Sequence, residues 1–496
     1  PFSTICYFIL PPSRRSLSIF IQHYLHDEQR FVREGGKPEE QHQGVDADAD
    51  VGSGSQTMMV GRELQTVVHA WSPLGSILIG EAAQDNLGWE VSLSGDGSVL
   101  AAGAPSLSQV TAGSVRVYKY INNGWTQIGG DIDGEALRDI FGFSVSLSYD
   151  GTVLAIAGES NDGAAGTDSG HTRVYKYNDT SNSWVQLGAD IEGEAAGDKT
   201  TSVSLSSDGL VLAVGARNNN GLNNISNVGH VRVYRYTTND GWTQLGSDID
   251  GDDIIDSRFG HSVSLSDDGT VMVAGAPFLD INGANNIGRV KVYKYNTVSQ
   301  IWSQLGLNID GEGGEDNFGM SVSISGDGNV FAAGATYNNG NGQASGHVRV
   351  FKYDGANWAQ LGSDIDGRSS SATASRVSLS NDGSVLAVGA PGAGGNYARV
   401  YYYNLSNLSW AQLGNDINGV GFGSFGRSVS LSADGSVLAV GGHGYTSGGL
   451  SERGAVQVFR DLGYVAPPPP TGKPTFEPTS QPTTSQPTTV SPTSAS

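Results

Sequence analysis

The chain has 496 residues, of which 71 are glycine, only 16% are charged and a single one is cysteine, and its formal charge is −22. So much glycine argues against a helical protein, while recurring valine, tyrosine and tryptophan favour strands joined by tight turns. The charge repels phosphate backbones and anionic lipid surfaces, which excludes nucleic acid as a partner, and the lone Cys6 excludes a disulfide framework or a cysteine metal cluster.

The chain opens on Pro1, and its first apolar run, Ile5 to Leu10, is too short for a membrane span or a complete signal sequence, so a truncated start is expected. From Arg30 to Gly61 the sequence is polar, acidic and weakly periodic, and residues 1–65 read as a disordered leader.

From Trp89 onward one template recurs: SVSLS-x-DG-x-VLAVGA, a variable Gly/Asn loop, RVYKY, then W-x-QLG-x-DIDG. Its Asp-Gly pairs begin at Asp96, Asp150, Asp208, Asp268, Asp327, Asp382 and Asp434, 52 to 60 residues apart, which is the length of a propeller blade. Each unit carries four strand signals. Alternating SVSLS, a continuous apolar VLAVGA, alternating RVYKY and a short WTQLG predict four antiparallel strands, the first innermost and the tryptophan strand outermost. Trp125, Trp184, Trp242, Trp302, Trp358 and Trp410 mark six outer strands, but the seventh unit ends at Phe459 without one. The stretch from Trp71 to Glu81 matches the missing piece, so an N-terminal strand is expected to close the last blade and remove the open edges. The expected fold is all-β: a seven-bladed β-propeller over residues 66–462, monomeric, with disordered ends.

Phe141-Gly142 with Ala157-Gly158, Phe259-Gly260 with Gly275-Ala276-Pro277, Phe318-Gly319 with Gly334-Ala335, and Phe425-Gly426 with Gly441-Gly442 resemble the FG-GAP repeat, the blade unit of the integrin α-chain propeller. The resemblance implies a ring closed by an N-terminal outer strand. It also implies calcium loops in the first hairpin, but here that hairpin keeps one aspartate, too few oxygens for the ion.

A second acidic series follows the tryptophan strand: Asp131, Asp133 and Glu135; Asp190 and Glu192; Asp248 and Asp250; Asp310 and Glu312. Alternate carboxylates before glycine suit weak calcium binding, against the plainer reading of a charge-solvating turn; no cofactor is required. His171, His230 and His347 occupy one template position and, like His261 after a Phe-Gly pair, read as strand-end residues. The basic third strand (Arg116, Lys119, Arg173, Lys176, Arg232, Arg235) reads as an alternating solvated face, and the tryptophans as packing ridges. No nucleophile or oxyanion motif is legible, so the core is expected to be chemically blank.

Loops between the second and third strands, such as 218–227 and 337–345, vary in length and share a rim with the DIDG segments. Sequons at Asn178, Asn224, Asn404 and Asn407 permit glycosylation. Residues 463–496 turn to proline, threonine and serine, composing an extended stalk like those of secreted and wall-associated algal proteins. Together these predict an extracellular or cell-surface binding scaffold for a protein or glycan. The alternatives are a polysaccharide hydrolase or lyase, with Asp139, Asp256 and Asp316 as its carboxylates, and a structural wall component.

Overall fold

A computed structural model of the chain describes residues 69–108, 111–221, 224–419 and 421–463. The leader with Cys6, and the tail from Tyr464 onward, lie outside the described residues.

Seven sheets form the described structure, each with four strands in antiparallel sequence order. Blade 1 comprises Val91–Leu93, Val99–Ala104, Ser114–Ile121 and Gly124–Gln127. Blades 2 to 6 begin at Phe141, Thr200, Ser262, Phe318 and Arg376. Blade 7 takes Ser428–Leu431, Val437–Gly442 and Ala455–Asp461 from the end of the repeat and its outer strand, Trp71–Pro73, from the beginning. Trp71 faces Asp461 and Pro73 faces Phe459, so the ring is closed by the N-terminal strand that the repeat count required. The DIDG segments add a feature that the four-strand template lacks. Their Ile-Asp pairs are short strands laid against the start of the third strand, as Ile132 on Val115, and Leu78–Ile79 does the same in blade 7.

The second strands are buried along their whole length, save for half-buried Val385, because each sheet is covered on both faces by neighbours. Val99 and Val115 of blade 1 pack with Phe141, Leu147 and Leu154 of blade 2, and the other blade interfaces repeat the pattern.

What joins the blades is visible residue by residue. In each S-x-DG hairpin the x residue donates its backbone N–H to the x carbonyl of another blade's hairpin: Gly95 to Tyr149, Tyr149 to Ser207, Ser207 to Asp267, Asp267 to Gly326, Gly326 to Asn381, Asn381 to Ala433, and Ala433 back to Gly95, at 2.7 to 2.9 Å. The chain of bonds is closed. A second ring runs through the serines. Ser92 Oγ accepts from the Leu147 N–H, Ser146 from Leu205 and Ser204 from Leu265, and the series closes with Ser430 accepting from Leu93. A third ring lies outside, where the Nε1 of each outer-strand tryptophan donates to the Leu or Ile carbonyl of the preceding outer strand, from Trp125 to Leu74 (2.8 Å) round to Trp71 to Leu413 (2.9 Å).

The motif glycines have the same explanation. The Asp-Gly glycines sit at φ of +66° to +72°, and a Cβ on Gly97 would strike Val437 of the preceding blade at 2.8 Å. A Cβ on Gly103 would collide with the carbonyl of Gly142, so the Gly-Ala glycine of one blade meets the Phe-Gly glycine of the next. Where Ala157 takes that place, the following blade begins with Thr200-Thr201 in place of Phe-Gly.

Two outcomes follow from this closure. Deleting residues 66–82 removes the outer strand of blade 7 and the Trp71 bond, exposing apolar area worth several kcal/mol at about 25 cal/mol per Å². Aggregation or a large drop in melting temperature is expected, whereas truncation of 1–60 or 466–496 should leave melting unchanged; a soluble 66–82 deletion with normal melting would refute N-terminal closure. Trp242→Phe keeps the ring but loses the 2.7 Å bond to the Leu187 carbonyl. Chemical denaturation should show a loss of about 0.5 to 1.5 kcal/mol, the net worth of one half-buried hydrogen bond.

Candidate functional site

Every blade sends its second-to-third loop and its fourth-to-first connection to one face, the upper face, and its two hairpins to the other. On the upper rim the third-strand arginines are not a solvated face. Lys119, Lys176 and Arg235 are exposed, but Arg116 and Arg173 are buried and Arg232 is nearly so. The reason is a carboxylate supplied by the preceding blade. Arg116 lies 3.4 Å from Glu81, Arg173 pairs with Glu135, Arg232 lies 3.5 Å from Glu194, Lys291 pairs with Asp252 at 2.6 Å, and Arg349 lies 3.6 Å from Glu312.

This arrangement accounts for much of the acidic series. Asp131 accepts from Arg116 at 3.0 Å, Asp190 from Arg173 at 2.8 Å and Asp310 from Arg289 at 2.6 Å, while Asp248 is held by Gln244. Asp133, Glu192 and Asp250 belong to the short strands. Burial, then nearby carboxylates, pushes Glu192 and Asp250 upward. Glu135, His171 and Asp190, then Glu194, His230 and Asp248, then Glu312, His347 and Asp364 form three equivalent groups whose ligand atoms lie within 4.8 Å of one another. The histidines are fully buried at the start of the third strand, and each group has an arginine against its glutamate.

Asp139, Asp256 and Asp316 do not stand in the central funnel as catalytic carboxylates would. Asp139 caps the N–H groups of Glu135 and Ala136, Asp316 takes the Gly313 N–H, and Asp256 accepts from Asn227. They fold the connections. Of the sequons, Asn178, Asn404 and Asn407 fall in the lower hairpins between third and outer strands, with Asn178 and Asn407 exposed, and Asn224 is exposed in an upper loop.

The core is not blank. Where the channel opens onto the upper face, a cavity of about 430 Å³ is lined by Trp89, Glu90, Phe143, Arg217, His261, Arg376 and Arg427, among others. Two template positions supply most of these. In five blades the residue after Phe-Gly or its equivalent is Trp89, Phe143, His261, Met320 or Arg427, and in all seven the residue after Gly-Ala or its equivalent is Pro105, Glu159, Arg217, Pro277, Thr336, Pro391 or His443. The position that carries Pro105, Pro277 and Pro391 in three blades is thus one where charge enters in others.

Arg217 pairs with buried Glu159, and the Arg427 guanidinium lies 4.0 Å from the Trp89 ring, against which His443 packs edge-on at 5.0 Å. Among the described residues no carboxylate pairs with Arg258, Arg376 or Arg427. Burial and the neighbouring Arg376 pull Arg427 down to about 9, so it is charged at neutral pH. Burial also pushes Glu90 up, against the pull of Arg427 and Arg376. His261 is driven well below its usual range by burial, then by the guanidinium of Arg217.

No protein-family model matches the chain, and comparison with curated proteins finds no match. Among solved structures it is similar to Kuenenia stuttgartiensis hydrazine synthase (17% identity, TM-score 0.49, covering 77% of this chain and 97% of that one). It is similar also to the periplasmic gluconolactonase PpgL of Pseudomonas aeruginosa (16%, 0.47, 77% and 98%) and to the WD40 repeats of RRP9 (12%, 0.47, 79% and 99%). No described helix is long and apolar enough to cross a membrane.

The buried histidines make stability depend on pH. Burial, then Arg349, pulls His347 down to about 4 from 6.5. It is neutral in the fold but takes up a proton when unfolded, so its contribution is complete above about 6.5 and is lost as pH falls toward 4. His347→Gln should flatten the decline in melting temperature between those two values; a variant declining as steeply as the parent would show that His347 is not the group involved.

Proposed function

We propose that the chain is an extracellular or cell-surface recognition module that binds a protein or glycan on the upper face of its propeller, with the Pro/Thr segment as a spacer. One observation carries this reading: the repeat is strict where blades join and is broken around a single channel mouth and the loops beside it. The lower hairpins keep the same Ser, Asp and Gly in all seven blades, whereas the upper positions carry Trp, Glu, Arg, His and Met. A rigid ring presenting one variable face suits binding. Calcium enters this reading only as a weak ligand of the acidic rim, where it would compete with the arginines already paired there.

Glu90 supports a second reading, as a polysaccharide hydrolase or lyase, because it is a carboxyl group at the mouth with a raised pKa beside guanidinium groups. The two readings separate on one experiment. The full chain is applied to a glycan array and to surface-protein extracts, and incubated with a panel of polysaccharides. Saturable retention without turnover, weakened by substitutions at the mouth, is expected. Turnover abolished by Glu90→Gln would favour the enzyme, and folded protein that neither binds nor turns over anything would refute both.

A further inference from the structure

We propose that the channel mouth is a binding site for an oxyanion, a carboxylate or a sulfate, carried on an organic body about the size of one sugar ring. This deepens the recognition reading and rests on it.

The observations are independent of one another. Arg376 and Arg427 face the cavity with no carboxylate partner among the described residues, and the carboxylates acting on the charge of Arg217, Arg376 and Arg427 are only Glu90 and Glu159 among those residues. This cationic excess sits in a chain of charge −22, so it is a local construction and not a by-product of composition. Hydrogen-bond donors are also left over. The Nε atoms of Arg217 and Arg376 and the Nε1 of Trp89 are shut off from solvent without an acceptor, and Nδ1 of His261 and of His443 have no hydrogen-bond partner. Buried donors are ordinarily satisfied, and an unmet one costs free energy. Acceptor oxygens placed in the cavity would meet guanidinium and indole donors together, and planar guanidinium groups match carboxylate and sulfate geometry.

The size of the site points past a bare ion. A cavity of about 430 Å³ exceeds what an inorganic anion fills, and Trp89 and Phe143, 5.6 Å apart, give it an aromatic wall. An anionic group among the arginines with a ring against that wall uses both halves. The rim groups around His171, His230 and His347 offer no comparable vacancy for charge, because arginines already face their carboxylates.

The test uses the full chain, calorimetric titration and thermal melting. The probes are glucuronate, glucose 6-sulfate, glucose and inorganic sulfate. One or both of the acidic sugars should bind saturably and raise the melting temperature, glucose should do neither, and inorganic sulfate should bind at least about tenfold more weakly than the better sugar. The response of the two acids separates a carboxylate ligand from a sulfate one. Arg427→Met should weaken that binding at least about tenfold, the loss of one charge-assisted interaction. The unliganded variant should melt at or above the parent temperature, because an unpaired buried charge has been removed. Arg376→Gln carries the same expectation if Arg427→Met does not fold, and Lys119→Gln, on the exposed third-strand face, should leave binding unchanged. Equal affinity in parent and mouth variants, no binding of either acid, or inorganic sulfate binding as tightly as the sugars would overturn the proposal. If the array finds a partner that neither acid displaces, the oxyanion site falls while the recognition reading stands; if it finds none, the recognition reading falls with it.

Discussion

One backbone hydrogen bond per blade, from the N–H of each inner hairpin to the carbonyl of another, runs through seven hairpins and returns to Gly95. A closed ring has no end at which an error in angle can be absorbed, so every joint must take the same step. The other repeated residues serve that requirement. The hairpin glycine lets the preceding blade's valine approach, the strand serine accepts an N–H across the gap, and the tryptophan fixes the outer spacing by donating to a carbonyl. Each joint therefore holds at three radii. Stability in such an array is close to a sum of blade and nearest-neighbour contributions, with the Trp71 strand supplying the last joint.

Because these positions are committed to joints, chemistry gathers where the joints are incomplete: Glu90 and Arg376 stand where Ser144, Ser202 and Ser321 of other blades accept an N–H from the next blade. At the upper end of the channel two further series remain, after Phe-Gly and after Gly-Ala. Prolines at 105, 277 and 391 fill one series without charge, and Glu159, Arg217, Thr336 and His443 take the rest. The mouth is consequently asymmetric although the ring is not. Seven equivalent arginines would repel one another, whereas Arg217, Arg376 and Arg427 come from blades 3, 6 and 7 and converge with only part of that cost.

Strand order, blade count and the closing N-terminal strand were all legible in the sequence because they are written as period and as an imbalance between tryptophans and Asp-Gly pairs. The buried state of Arg116 and Arg173 was not, since alternation in RVYKY says which residues share a face but not that Glu81 and Glu135 of a preceding blade cover that face. Asp139 and Asp316 were read as possible funnel carboxylates, yet their short side chains are spent on N–H groups three or four residues away. The mouth went unread for a different reason. Glu90, Arg217 and Arg427 are each separated by more than a hundred residues and carry no local motif; the available signal was the loss of proline after Gly-Ala, visible only when the blades are superposed in register.

The electrostatics of the mouth follow from range. At physiological ionic strength charges are screened over about 8 Å, so an approaching anion first meets the acidic surface and feels the arginines only near the opening. Inside, low polarisability and the excess of guanidinium groups over the carboxylates Glu90 and Glu159 make each guanidinium contact strong, and the unpartnered indole and guanidinium N–H groups are worth most where water is excluded. An uncharged ligand gains none of this, and a cation is repelled at the mouth. Selection is thus made at the last few ångströms by geometry, and the acidic exterior discourages anions too extended to place one group among Arg217, Arg376 and Arg427.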